Sequence, residues 1–154
     1  RLYIPNSIEP FTAFEGRWTI LLALTSNPGA EDFEFHGDRS LYREVLRKSQ
    51  TFQGAQRLMF VVGATRPAML KEVREEAPHA FLLVPGVGAQ GGTVKDVAQH
   101  GMNDRCGLLV NSSRGILYAA GPEATQQESK AAAANVAEDL AAQMRTTLES
   151  RGLL

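Results

Sequence analysis

Phe81-Leu82-Leu83-Val84-Pro85-Gly86-Val87-Gly88-Ala89-Gln90-Gly91-Gly92 is the stretch on which the chain turns. Its first four residues are apolar without interruption, the mark of a short strand buried on both faces. Pro85 and Gly86 end that strand, and Gly86, Gly88, Gly91 and Gly92 then fall within seven residues. A helical pattern follows at once, with Thr93 as N-cap and Val94, Val97 and Ala98 on one face. Glycines allow backbone N–H groups to approach an anion, and a helix N-terminus adds partial positive charge. The loop therefore fits a phosphate cradle from which Gln90 projects as the one long polar side chain. It equally fits an ordinary strand-to-helix connection that is rich in glycine, because such a turn taken alone is a weak signal.

Working outward, the same unit recurs. Residues 18–25 form a continuous apolar run that ends in the turn residues Ser26-Asn27-Pro28-Gly29. Leu58-Met59-Phe60-Val61-Val62 makes a second strand, after which Thr65-Arg66-Pro67 leads into a helix through about residue 76, Pro67 lying in its first turn. Residues 107–110 make a fourth strand, followed by Asn111-Ser112-Ser113-Arg114-Gly115. Helical spacing marks 38–52, where Leu41, Val45 and Phe52 align, and a long alanine-rich helix runs from about 123 to 149. At the start, Asn6 or Ser7 is expected to cap a helix over 8–15 that Gly16 ends, with Pro5 in the preceding turn. Residues 30–37 are expected to form a loop.

Alternation of helices with strands that are apolar on both faces calls for a parallel sheet covered by helices. An open doubly wound sheet and part of a (β/α)8 barrel both satisfy it. A whole barrel takes ~250 residues, so 154 residues supply about half of one. Composition bounds the rest. The chain is 44% hydrophobic and 21% charged with net charge −1, ordinary values for a single soluble domain spanning 1–154. Interspersed charges give no basic face for nucleic acid. One cysteine, Cys106, excludes an internal disulfide framework and suits a reducing, cytoplasmic setting. No apolar run approaches the ~20 residues that span a bilayer, and no secretory signal pattern opens the chain as given. His36, His79 and His100 lie far apart without ligand spacing, so no metal site is expected.

Polar residues cluster just after the strands: Ser26 and Asn27, Thr65 and Arg66, Gln90, then Ser112, Ser113 and Arg114. In parallel α/β folds this edge binds ligands, and in barrels the last two loops commonly hold phosphate. Arg114 offers a permanent charge and a bidentate fork, to which the backbone N–H groups of Ser113 and Arg114 can add. A surface ion pair is the plain alternative for Arg114. Ser26 with Asn27 can read the edge of a heterocycle, or simply make a turn. Thr65 fits a helix cap, and Arg66 fits a solvated surface residue.

Four segments in order, Leu-Leu-Ala-Leu-Thr-Ser-Asn-Pro-Gly at 21–29, Val-Val-Gly-Ala-Thr at 61–65, Leu-Val-Pro-Gly-Val-Gly-Ala-Gln-Gly-Gly at 83–92 and Leu-Val-Asn-Ser-Ser-Arg-Gly-Ile-Leu-Tyr-Ala at 109–119, resemble the C-terminal half of orotidine 5'-phosphate decarboxylase of the longer bacterial type. Asn6-Ser7-Ile8-Glu9-Pro10-Phe11 resembles the helix after that family's fourth strand. The resemblance implies a (β/α)8 barrel, cofactor-free conversion of orotidine 5'-phosphate to UMP, and a homodimer with active sites at its interface. It also implies roles: Ser26 to hydrogen-bond the pyrimidine, Gln90 to bridge phosphate and base, and Arg114 to bind phosphate, with Gly91 and Ser113 beside them.

The chain departs from the family pattern in its chemistry. The family's Asp-x-Lys-x-x-Asp array has no counterpart here. The four lysines, Lys48, Lys71, Lys95 and Lys130, fall on helical segments without such aspartates. Thr93 stands where an acidic residue is more usual. The expectation is thus a ligand-gripping half without catalytic residues of its own. Alternatives are a non-catalytic phosphate- or nucleotide-binding module and another phosphate-binding barrel enzyme. A half-barrel also exposes two sheet edges, which favours pairing with a copy or with its other half.

Overall fold

The computed structural model describes residues 4–25, 27–36, 40–64, 66–88 and 91–154. Four strands, β1 (Thr19–Leu24), β2 (Leu58–Val62), β3 (Phe81–Pro85) and β4 (Leu108–Asn111), form one parallel sheet in the order β1-β2-β3-β4. Each crossover moves one place in the same direction. Because parallel crossovers are right-handed, uniform direction sends every intervening helix to the same face of the sheet. A doubly wound sheet needs a reversal of strand order to clothe both faces. None occurs here, and the singly wound half of a barrel is the architecture that remains.

Burial bears this out strand by strand. Leu21, Phe60, Leu82 and Leu108 are in register, and their face packs beneath the helices; Phe60 and Leu82 are fully buried. One residue further on, Leu22, Val61, Leu83 and Leu109 line the opposite face, where Leu22 is 64% and Leu109 51% exposed. Phe81 lies on that open face at its N-terminal end, and Trp18 packs edge-on against it, ring centroids 6.4 Å apart. A parallel sheet that buries one apolar face and leaves the other bare is what half of a barrel presents as its inner wall.

The helices are α1 (Ile4–Thr12), α2 (Ala30–Phe33), α3 (Leu41–Ser49), α4 (Pro67–Glu76), α5 (Val94–Gly101), α6 (Ser113–Leu117) and α7 (Gln126–Ser150). Leu46, Leu70, Val73 and Val97 carry α3, α4 and α5 onto the sheet, and Leu140 and Met144 add α7. Several boundaries differ from the sequence reading: α3 spans only Leu41–Ser49 of the expected 38–52, and α6 falls where no helix was expected. α1 starts at Ile4 and ends at Thr12, because a proline in a first turn loses only an N–H that would lack an intrahelical partner. Residues 30–33 make the short α2, too brief to show helical periodicity. α7 begins at Gln126, where Thr125 and Glu128 form a reciprocal capping box. No described helix is long and apolar enough to cross a membrane.

At the N-terminal end of the sheet, Arg74 of α4 reaches five backbone carbonyls. Its guanidinium donates to Ala77, Pro78, Ala80, Gly101 and Gly107 over distances from 2.6 to 3.2 Å. Burial lowers its pKa to about 10, which leaves it a cation at neutral pH. The carbonyls at the ends of α4 and α5 are the unsatisfied acceptors that helix C-termini leave, and one cation serves both.

Candidate functional site

The C-terminal edge of the sheet is built around residues 86–92. Gly86, Gly88 and Gly91 take φ of 99°, 83° and 88°, a region L side chains rarely adopt. Gly92 is required for a different reason: a Cβ there would stand 2.6 Å from Ala64 Cβ and 3.1 Å from the carbonyls of Ala64 and Gly86. The loop closes on itself through Gly88 N–H to Gly92 O (2.9 Å) and Gly91 N–H to Gly88 O (2.8 Å). Ala64 N–H to Pro85 O at 2.9 Å joins it to the loop after β2. A Cβ on Gly91 would meet no atom within 4 Å, so this part of the loop faces open space. Thr93 caps α5, accepting from Asp96 N–H at 3.0 Å while its hydroxyl donates to the Asp96 carboxylate at 2.7 Å. A threonine at this position thus does a helix cap's work.

The loop after β4 is tied to this one. Ser112 Oγ donates to Val87 O at 2.8 Å, and the same oxygen lies 3.2 Å from where a Gly88 Cβ would be. Asn111 pairs in register with Pro85 on the open face, and Ser113 Oγ donates to its carboxamide oxygen at 2.9 Å. Ser113 and Arg114 form the first turn of α6, whose leading N–H groups have no intrahelical acceptor. Arg114 is exposed, and among the described residues its guanidinium has no ion-pair or hydrogen-bond partner. The alternative reading of Arg114 as a surface ion pair finds no partner there. The fold thus ties the loop that carries Gly91 to the segment that carries Ser113 and Arg114, through Ser112 and Val87. Ser26, Thr65 and Gln90 lie outside the described residues.

Two side chains at this edge escaped the sequence reading. Glu34, just past α2, accepts from Thr25 N–H at 3.0 Å and from Thr25 Oγ1 at 2.9 Å. Arg66 is not merely solvated: it donates to Glu31 at 2.8 Å and stands 5.3 Å from the Phe35 ring centroid. No spacing rule links residues 9 or 35 positions apart. The acidic character of 30–37 was the only signal available. β1 also carries a register break between Leu22 and Leu24, a bulge that redirects the strand end.

Lysines are conspicuous by their placement. Lys48, Lys71, Lys95 and Lys130 are all exposed on the helical layer, on α3, α4, α5 and α7, away from the sheet's open face. This half therefore offers a permanent cation, backbone donors and hydroxyls, a set suited to holding a phosphoryl oxyanion, and no amine positioned to deliver a proton.

Comparison with known proteins gives these features a family. The profile described as "Orotidine 5'-phosphate decarboxylase / HUMPS family" matches residues 7–129. The chain is 51% identical over 152 residues to orotidine 5'-phosphate decarboxylase of Porphyromonas gingivalis, covering 97% of this chain and 54% of that protein. Among solved structures, UMP synthase of Leishmania donovani superposes with a TM-score of 0.73 at 36% identity, over 92% of this chain and 31% of that one. OMP decarboxylase of the same organism gives 0.71 at 33% identity, over 90% and 52%. The chain spans about half the length of the curated relatives it matches. Sheet order, glycine-rich loop and sequence agree: this chain belongs to the orotidine 5'-phosphate decarboxylase / HUMPS family.

Proposed function

We propose that this chain supplies the phosphate- and pyrimidine-binding loops of an enzyme that decarboxylates orotidine 5'-phosphate to UMP. The observation that carries the reading is Arg114: an exposed guanidinium without a partner among the described residues, on the first turn of α6, beside a loop fastened by Ser112 to Val87. In this reading Arg114, with the N–H groups of Ser113 and Arg114, binds the 5'-phosphate. Gly91 leaves room for the phosphate, Gln90 spans phosphate and base, and Ser26 hydrogen-bonds the pyrimidine. Phosphate binding far from the reacting carbon then supplies energy for ordering the loop over the base, where it lowers the barrier.

The reaction breaks the bond from C6 to the carboxylate, leaving its electron pair on C6 as CO2 departs. A proton must then arrive at C6. With all four lysines on the outer helices, that acid comes from the other half of the barrel, which also covers the open apolar face of β1–β4. A homodimer in the cytoplasm is the assembly that this reading carries with it. The bare placement of the lysines also supports a second reading, a nucleotide-binding module that grips without chemistry.

The test is calorimetric titration of UMP and of ribose 5-phosphate into the full-length protein and its Arg114→Ala variant. Removing a charge-assisted bidentate contact should weaken both ligands by roughly 1.5–3 kcal/mol. Unchanged affinity would remove Arg114 from the site. Tight UMP binding without turnover would favour the non-catalytic module.

A further inference from the structure

Asn111 is a polar residue on an apolar wall. The strands set Ile20, Leu22, Val61, Leu83 and Leu109 on the open face, and every other strand residue on that face is apolar except Asn111, the last residue of β4. Along β4 the sides are distinct: Leu108 and Val110 pack against the core, while Leu109 and Asn111 are exposed on the other side. Strand formation does not ask for this residue, since asparagine is depleted in strands and a further leucine would continue the wall.

The carboxamide of Asn111 is only half used. Ser113 Oγ donates to its Oδ1 at 2.9 Å, and the two N–H groups on Nδ2 have no acceptor among the described residues. While the face is open, water serves those donors. In the closed barrel of the proposed function the other half covers the face, and two idle donors among apolar side chains would each lose their hydration without return. Position supplies the acceptor. Ser113 and Arg114, at the rim, are the groups proposed to hold the 5'-phosphate, and Asn111 lies just before them in the chain, inside the rim and on the face that turns to the barrel axis. A nucleotide gripped by its phosphate at the rim carries its ribose across this point before its base.

We infer that Asn111 is a substrate-binding residue: its Nδ2 N–H groups donate to the ribose oxygens of the nucleotide while its Oδ1 stays on the Ser113 hydroxyl. This rests on the phosphate site proposed above and adds to it a contact with the sugar. Side-chain chemistry favours asparagine for the task. Aspartate would accept from Ser113 but would bring a negative charge beside a phosphate dianion. Lysine or arginine would donate to the sugar but could not accept from Ser113. A carboxamide does both on one planar group without charge.

The test uses the full-length protein with Asn111→Leu, which continues the apolar wall, and Ser113→Ala, which removes the hydroxyl and keeps the backbone N–H. UMP, ribose 5-phosphate and inorganic phosphate are titrated into each, with melting temperature recorded alongside. Asn111→Leu is expected to weaken UMP and ribose 5-phosphate alike by about tenfold, to leave inorganic phosphate within about twofold, and to melt no lower than the parent. Ser113→Ala is expected to lose less than Asn111→Leu on both sugar phosphates. Asn111→Ala repeats the measurement if the leucine variant does not fold. Unchanged affinity for the sugar phosphates would overturn the inference, and so would a loss confined to UMP, which would put the amide on the base. Equal weakening of all three ligands, or a Ser113→Ala protein that reproduces the whole loss, would make Asn111 a support of the phosphate loop and would overturn it too. A parent protein that binds none of the three overturns the proposed function itself, and the sugar contact falls with it.

Discussion

Gly92→Ala tests the packing of the two loops that form the candidate site. The added Cβ would stand 2.6 Å from Ala64 Cβ, against the 3.5–4.0 Å at which carbon atoms rest in contact. The loops after β2 and β3 must then part by about 1 Å. Two carbonyls at 3.1 Å, of Ala64 and Gly86, obstruct sideways escape, and Ala64 is fully buried. Overpacking of this kind costs about 1–3 kcal/mol, and the upper half of that range is expected because the obstacles are backbone and a Cβ rather than a flexible side chain. Removing the opposing methyl should give much of it back. Ala64→Gly alone costs about 1–2 kcal/mol, from a buried methyl and a freer unfolded chain. In the double variant the closest contact is gone, and the cycle should return a favourable coupling of about 1–2 kcal/mol. Denaturant unfolding of the four proteins measures it, with UMP affinity as a second reading of loop separation. Additive losses would refute the claim that Ala64 is what makes glycine obligatory at 92. Gly91→Ala is the built-in contrast: no neighbour obstructs it, so its penalty comes from the φ of 88° and Ala64→Gly should not relieve it.

Glu76 gives a pH signature. Burial works against its ionised form, but hydrogen bonds from Arg43 and Arg47 outweigh that and hold its pKa below the usual carboxylate value. A depressed folded-state pKa contributes stability that is fully present above the unfolded carboxylate range and is lost as pH falls through the folded value. Glu76→Gln should therefore be less stable than the parent at pH 7, with the difference shrinking below about pH 4 in acid unfolding curves. Arg74→Lys keeps the charge but not the fork. It should lose more than about 2 kcal/mol in denaturant unfolding, because an ammonium cannot reach five carbonyls spread around a planar guanidinium. Equal stability of Arg74→Lys and the parent would show the carbonyl cluster to be incidental.

All four strands were readable as uninterrupted apolar runs, because a parallel strand is buried from both sides in the finished barrel and its sequence reflects the finished barrel. The half-structure itself does not require Leu22 or Leu109 to be apolar, since both are exposed. Choosing between barrel and open sheet was beyond local pattern, because it depends on strand order. The glycine loop was legible as a unit, yet its glycines turn out to serve two causes, backbone conformation at Gly88 and Gly91 and close approach at Gly92. Thr93 was readable as a cap because its partner Asp96 is three residues away. Glu34 and Arg66 were not, because their roles arise between segments that only the fold brings together. Position 5 misled for a third reason: proline ends a helix in most contexts but suits a first turn.

The carbonyl cluster around Arg74 bears on how the molecule comes apart. Gly107 O accepts from Leu82 N–H as well as from Arg74, so the end of α4, the end of α5 and the entry to β3 and β4 share one junction. None of these ends can fray without stranding the others' acceptors, and α4, β3, α5 and β4 should exchange their amides with solvent as one block of common opening free energy. The glycine-rich loop and Arg114 are mounted on that block. The end of β1 is not: beyond Leu24 it is Glu34 that holds the chain, through two hydrogen bonds from Thr25. The loops after β3 and β4 thus ride on the slowest-opening part of the chain, while the end of β1 can yield independently of them.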